Sequence, residues 1–145
     1  MADPIAEFYE QHPYPPPVDD LSGSTWDETQ RRLDHHRLWP RRPLRPRPLL
    51  VAGRGTSQAA RHAIRHPGDR VVGIDVSQAG LDHTRSLAKR HQLTNLKVHR
   101  LAIEDAPDLA ERFDQVVCTG VLHHLADPEQ GLGALRQVLA PDGVL

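Results

Sequence analysis

The chain has 145 residues, enough for one domain with a core of its own and too few for two of ordinary size. A formal net charge of -1, with 18 Lys and Arg against 19 Asp and Glu, argues against a nucleic-acid binder of the strongly basic kind. No apolar run approaches the ~18 residues of a membrane span, and Asp3 and Glu7 stand where a secretory signal is basic and then apolar. The single cysteine, Cys118, rules out an intrachain disulfide and a cysteine-based zinc site, so a cytoplasmic protein without membrane contact is expected.

Residues 1–47 read as an arm, an amphipathic helix and a Pro/Arg-rich connector. The run Pro15-Pro16-Pro17 disfavours a strand ladder, so residues 1–18 are expected to be extended after a single helical turn. Phe8, Tyr9, Tyr14 and Trp26 concentrate here, and two readings stay open: a lid over a ligand, or rings that staple the arm to the domain. Thr25 with Glu28 three residues on fits a capping box, opening a helix to about Trp39 with Trp26, Leu33 and Leu38 as its apolar stripe. Pro40 to Pro48 has no periodicity and should be a stiff connector. From Arg31 to Arg70 the only acids are Asp34 and Asp69; the arginines between them form either a face for an anionic partner or a solvated surface, and the second is adopted.

Residues 48–145 alternate between two periods. Leu49-Leu50-Val51-Ala52 is a buried-strand pattern that breaks at Gly53-Arg54-Gly55 into a helix beginning near Ser57, with Ala59, Ala60, Ala63 and Ile64 on one face. Val71 to Asp75 is a second strand closed by an acid. Ser77 caps a helix to about His91 that faces inward with Leu81, Thr84, Leu87 and Ala88. Leu96 to Leu101 and Phe113 to Thr119 are the third and fourth strands, separated by a polar segment with a short helix around Ala106 to Glu111. Asp127 and Pro128 are N-cap and N1 of a helix with Leu132, Leu135, Val138 and Leu139 inward, which Pro141-Asp142-Gly143 ends, and Val144-Leu145 begins a fifth strand. This rhythm predicts an α/β, doubly wound, mostly parallel Rossmann-like sheet. A fifth strand cut off after it starts leaves the fourth as an open apolar edge, so a truncated and marginally stable chain is expected.

In this order the features resemble the class I S-adenosylmethionine-dependent methyltransferases. Gly53-Arg54-Gly55 is similar to their first motif, Asp75 to the acid ending their second strand, and Phe113-Asp114-Gln115-Val116-Val117-Cys118 to their fourth-strand motif. Gly120-Val121-Leu122-His123-His124-Leu125-Ala126-Asp127-Pro128, followed by Leu139-Ala140-Pro141-Asp142-Gly143, resembles the stretch after that strand in many small-molecule members. The resemblance implies S-adenosylmethionine as cofactor and a small-molecule methyl acceptor, with nucleic acid the lesser alternative. It implies cofactor contacts from Ala52, Gly53, Gly55, Asp75, Val76, Ile103, Glu104 and Thr119, with Ile103 against the adenine. Glycines admit a close ligand, a helix start offers N–H groups to a carboxylate, and an acid about twenty residues on suits ribose hydroxyls. For Asp75 the competing role is to cap the helix after Val76.

The sequence departs from that family at Val51, Ser57 and Ala102, which stand where an acid, a glycine and an acid are usual. Each departure removes a polar contact of roughly 1 kcal/mol. His123 and His124 are the candidates for a base if the acceptor needs one, and they make no metal site. Two competitors remain. An NAD(P)-dependent oxidoreductase shares the strand, turn and acid, but its fingerprint asks for a small residue where Gln58 stands. A non-catalytic cofactor-binding fragment fits the altered loop.

Overall fold

Alternate residues of the first strand face opposite ways, and that alternation builds the molecule. In the computed structural model, which describes residues 4–12, 16–53 and 57–145, β1 (Pro48–Ala52) sends Leu50 and Ala52 into one core and Leu49 and Val51 into another. The first core continues through Val72, Ile74, Phe113 and Val116 to Leu135 and Val138, and the second through Val71 to Ala59 and Ala63. A strand buried on both faces reads as a continuous apolar run, which is why Leu49 to Ala52 carries no polar residue.

The sheet adds β2 (Arg70–Asp75), β3 (Leu96–Arg100), β4 (Phe113–Val117) and β5 (Leu139–Val144) in the order β3-β2-β1-β4-β5, all pairs parallel. The doubly wound expectation is met. Five helices accompany it among the described residues: α1 (Pro4–Gln11), α2 (Glu28–Leu38), α3 (Gln58–Arg65), α4 (Gln78–Arg90) and α5 (Pro128–Gln137). Helices α3 and α4 pack on each other and on β2 and β3. Helix α5 packs on a 3-10 segment, Ile103–Leu109, that links β3 to β4. Ser77 and Asp127 cap α4 and α5 as expected, accepting from the N–H groups of Gly80 and Gln130 at 3.0 Å.

Several expectations are corrected. Helix α2 starts later than the Thr25 box implies: Asp27 is the N-cap, accepting from the Gln30 N–H at 2.8 Å while the Gln30 side chain accepts from the Asp27 N–H at 2.9 Å. A carboxylate out-competes a hydroxyl two positions earlier. The buried face of α2 carries His35, and Leu33 is 65% exposed. On α5 the inward residues are Gly131, Ala134 and Leu135, and Leu132 points out.

Pro141-Asp142-Gly143 does not end α5. Gln137 ends it, and the three residues lie inside β5, where the pairing slips between Phe113↔Leu139 and Gln115↔Val144. The slip lets the sheet edge hold a proline that offers no N–H to the ladder. Strand β5 therefore covers the side of β4 facing away from β1, so β4 is not an open edge.

The connector is no bare spacer. Arg42 and Arg47 have side chains only 10% and 2% exposed and ion-pair with Asp114 and with Asp34 and Asp69. For these two arginines the solvated-surface reading fails. The arm is longer in helix than expected, since α1 runs from Pro4 to Gln11. It then follows α4: His83 Nε2 donates to the Val18 carbonyl at 2.9 Å, Arg90 to that of Asp19 at 2.7 Å, and the Leu21 N–H donates to His91 Nε2 at 3.1 Å. Among the described residues no helix is long and apolar enough to cross a membrane.

Candidate functional site

Parallel strands leave their carboxyl ends on one rim, and the order β3-β2-β1-β4-β5 reverses direction between β1 and β4. Ligands of open α/β sheets settle outside such a reversal. Gly53, just past β1, has φ +76 and donates its N–H to the Ile74 carbonyl at 2.8 Å, so the chain turns sharply against the end of β2. A Cβ at Gly53 would lie 2.8 Å from Val121 Cγ2, so both the torsion and the space require glycine. Ala52 is buried beneath it. Arg54, Gly55 and Thr56 lie outside the described residues.

Asp75 closes β2 beside this turn and is half-buried. Its Oδ1 accepts from the Ser77 N–H at 2.7 Å, so it supports the entry to α4 while its carboxylate stands on the rim. Val76 is half-buried, and its carbonyl accepts from Arg100 Nε at 3.0 Å. Ile103 is 5% exposed and lies in the core, 3.6 Å from the position of a Cβ on Gly131, which leaves Glu104 as the half-buried neighbour next to it. Thr119 is exposed past β4, after Cys118, whose thiol is pushed up by burial.

The loop after β4 is anchored on both sides. Val121 sits against Gly53, and a Cβ at Gly131 would overlap Leu125, so the loop closes onto β1 and α5 together. Between these anchors His123 and His124 form part of a 3-10 turn, Leu122–His124, exposed, with ring centroids 3.9 Å apart. Among the described residues no three His, Cys, Asp or Glu converge as a metal requires.

The three departures have local accommodations. Val51 is 3% exposed and packs with Leu49, Ala59, Ala63 and Val71, an environment that would strip water from a carboxylate. Ser57 is buried at the α3 N-cap without a side-chain cap bond, and Ala102 precedes the 3-10 segment, where its carbonyl accepts from the Asp105 N–H at 3.1 Å.

Glu10 was not singled out in the sequence. Its carboxylate accepts from the N–H groups of Gln78 and Ala79, the latter at 3.1 Å, across 68 and 69 positions of chain. It therefore holds the start of α4, immediately after Asp75 and Val76, where the positive end of the helix dipole favours an anion. No local signal marks its role, because its partners lie 68 and 69 positions away. Of the arm's rings, Trp26 is pinned by Arg65 over its face, 4.7 Å from the centroid, and by the edge of His66 at 5.2 Å. Phe8 is 57% exposed, and Tyr14 and the Tyr9 side chain lie outside the described residues.

Comparison with known proteins bears on this rim. Residues 50–145 match a family model described as a methyltransferase domain. An uncharacterised protein of Synechococcus is 33% identical over 97% of this chain and 35% of its own length. A tRNA U34 carboxymethyltransferase of Azotobacter vinelandii is 37% identical over 81% of this chain and 38% of its own. The chain thus spans little more than a third of the length of either relative. Among solved structures, a coclaurine N-methyltransferase bound to N-methylheliamine and S-adenosylhomocysteine aligns over 80% of this chain and 34% of its own, with a TM-score of 0.64 at 19% identity.

Proposed function

The chain belongs to the methyltransferase domain family, and on that premise we propose that its carboxyl-end rim binds S-adenosylmethionine for methyl transfer to a small molecule. The observation that carries this is the Gly53 turn, whose N–H is hydrogen-bonded to the residue preceding Asp75, at the reversal of the strand order. Gly53 supplies a surface without a side chain, and Asp75 supplies an acceptor for two hydroxyls. These fit the two ends of an amino-acid-bearing nucleoside.

In this reading the Gly53 turn takes the methionine end, with Ala52 beneath it and Gly55 assigned to it from the sequence, Asp75 and Val76 take the ribose, Glu104 takes the adenine with Ile103 behind it, and Thr119 completes the set. The cofactor, when bound, supplies an electrophilic methyl group on a sulfonium. The protein's own contribution is to orient an acceptor in line and to exclude water. Val121 is seated on Gly53, and the exposed His123 and His124 that follow it are the candidates to take the proton of a hydroxyl or ammonium acceptor.

A small acceptor is supported by how the arginines are used. Arg32, Arg37, Arg42, Arg47, Arg70 and Arg85 each face a carboxylate of the chain itself, so the charge of these six is met within the chain rather than offered to a phosphate backbone. The tRNA-directed relative supports the other acceptor class and gives the comparison arm of the test. Calorimetric titration with S-adenosylhomocysteine, with NADH in parallel, checks the cofactor. Binding of NADH without S-adenosylhomocysteine would overturn it. Methyl transfer from labelled cofactor to tRNA, and to no low-molecular-weight fraction, would overturn the acceptor class.

A further inference from the structure

We propose that Glu10, on the amino-terminal arm, is a positioning residue for cofactor binding: its carboxylate holds the corner between β2 and α4 on which Asp75 and Val76 are presented. This rests on the cofactor reading of the rim and extends it to the arm, 68 positions before the helix that Glu10 touches.

A helix start leaves its first N–H groups without partners inside the helix. At α4 each of them meets a side chain. The Ser77 N–H donates to Asp75 Oδ1 at 2.7 Å, those of Gln78 and Ala79 donate to the Glu10 carboxylate, the latter at 3.1 Å, and that of Gly80 donates to Ser77 Oγ at 3.0 Å. Asp75 and Glu10 therefore hold consecutive residues of one turn. Helices α2 and α5 carry Glu28 and Glu129 in their own first turns, whereas α4 has no acid there. The anion that the helix dipole favours at this end comes to α4 from outside the helix.

The corner is braced from two directions. From the sheet, Arg100 Nε donates to the Val76 carbonyl at 3.0 Å. From the arm, Glu10 fixes the two residues that follow Ser77, the residue whose N–H orients the Asp75 carboxylate. Other bonds between arm and α4 lie farther along the helix, at His83, Arg90 and His91, and they engage the backbone of Val18, Asp19 and Leu21. Glu10 acts at the end next to Asp75. Without its carboxylate, fewer molecules hold the corner ordered before the ligand arrives, and the apparent affinity falls by that fraction.

The experiment titrates the whole chain with S-adenosylhomocysteine by calorimetry, with circular dichroism to establish that each variant is folded. Glu10→Ala is expected to bind roughly three- to fivefold more weakly than wild type, the scale of a lost helix cap expressed as an equilibrium constant. Glu10→Gln keeps an oxygen for the two N–H groups, so its affinity should lie between those of Glu10→Ala and wild type, and it carries the test if Glu10→Ala does not fold. Because Glu10 acts through the corner that holds Asp75, adding either substitution to Asp75→Asn should change the affinity by less than about twofold. Arg90→Ala, which releases the arm at the far end of α4, should leave the affinity unchanged. Wild-type affinity in both Glu10 variants, full additivity with Asp75→Asn, or an equal loss in Arg90→Ala would overturn the proposal and leave the cofactor reading standing. Failure of the wild type to bind S-adenosylhomocysteine would overturn both.

Discussion

Trp39 and Asp142 are separated by 103 positions and joined by one hydrogen bond, the indole N–H donating to the Asp142 carbonyl at 2.9 Å. This bond ties the end of α2 to the middle of β5. Arg42 reinforces it by pairing with Asp114 on β4 while its Nη1 lies 3.6 Å from Asp142. Trp39→Phe should therefore lower unfolding free energy by about 1 kcal/mol, and Trp39→Ala, which also empties a buried site, by about 3–5 kcal/mol. Urea denaturation measures both. Asp114→Ala should cost as much as Trp39→Ala, because it strands the buried Arg42 charge.

Gly53→Ala should weaken S-adenosylhomocysteine binding and destabilise the fold together. The φ of +76 costs an alanine roughly 1–2 kcal/mol, and the Val121 methyls, 2.8 and 2.9 Å from the new Cβ, add a clash. Adding Val121→Ala removes the clash and leaves the torsional strain, so the double variant should recover part of the melting temperature. Full recovery would show that the torsion carries no cost.

Asp75→Asn separates ribose recognition from support of α4. A lost charged acceptor is worth about 1.5–3 kcal/mol, so affinity for S-adenosylhomocysteine should fall roughly ten- to a hundredfold while the melting temperature changes little. Because Asn keeps an oxygen for the Ser77 N–H, a large drop in melting temperature with unchanged affinity would identify Asp75 as a helix support alone.

Acid should destabilise the protein before its carboxylates titrate. Burial, assisted by Arg65 at His62 and by Arg47 at His66, lowers both imidazole pKa values from 6.5 to about 4. Between those limits the unfolded chain binds more protons than the folded one, so stability falls as pH drops from about 6.5 toward 4. Asp69 acts the other way: burial raises its pKa, so its protonation favours the fold, at the acid end just above 3.8. Urea midpoints between pH 7.5 and 4.5, compared for wild type and His62→Asn, should show a shallower decline in the variant.

The sheet was legible where side-chain periodicity reports on the strand's own surroundings. Leu49 to Ala52 and Val71 to Ile74 are buried on both faces, and their apolar runs say so without reference to anything distant. Reading failed where a distant partner decides. Pro141-Asp142-Gly143 is local turn chemistry, overridden because β4 offers a ladder across the slip at Phe113 and Gln115. Arg42 and Arg47 sit in a proline-rich run that looks solvated until Asp114, Asp34 and Asp69 are brought to them. On the rim, the Gly53 turn and the acid that closes β2 at Asp75 were legible from spacing. Glu10 was not, since nothing local links it to residues 68 positions away.

The contacts that Glu10, Val18, Asp19 and Leu21 make along α4 impose an order on assembly. Their partners there are Gln78, His83, Arg90 and His91, so each of these bonds closes a loop of about 70 residues. On the ribosome, where chain emerges from the amino end, these four residues must remain undocked until α4, roughly seventy residues further on, has been made. Residues made well before α4 find their place only after it.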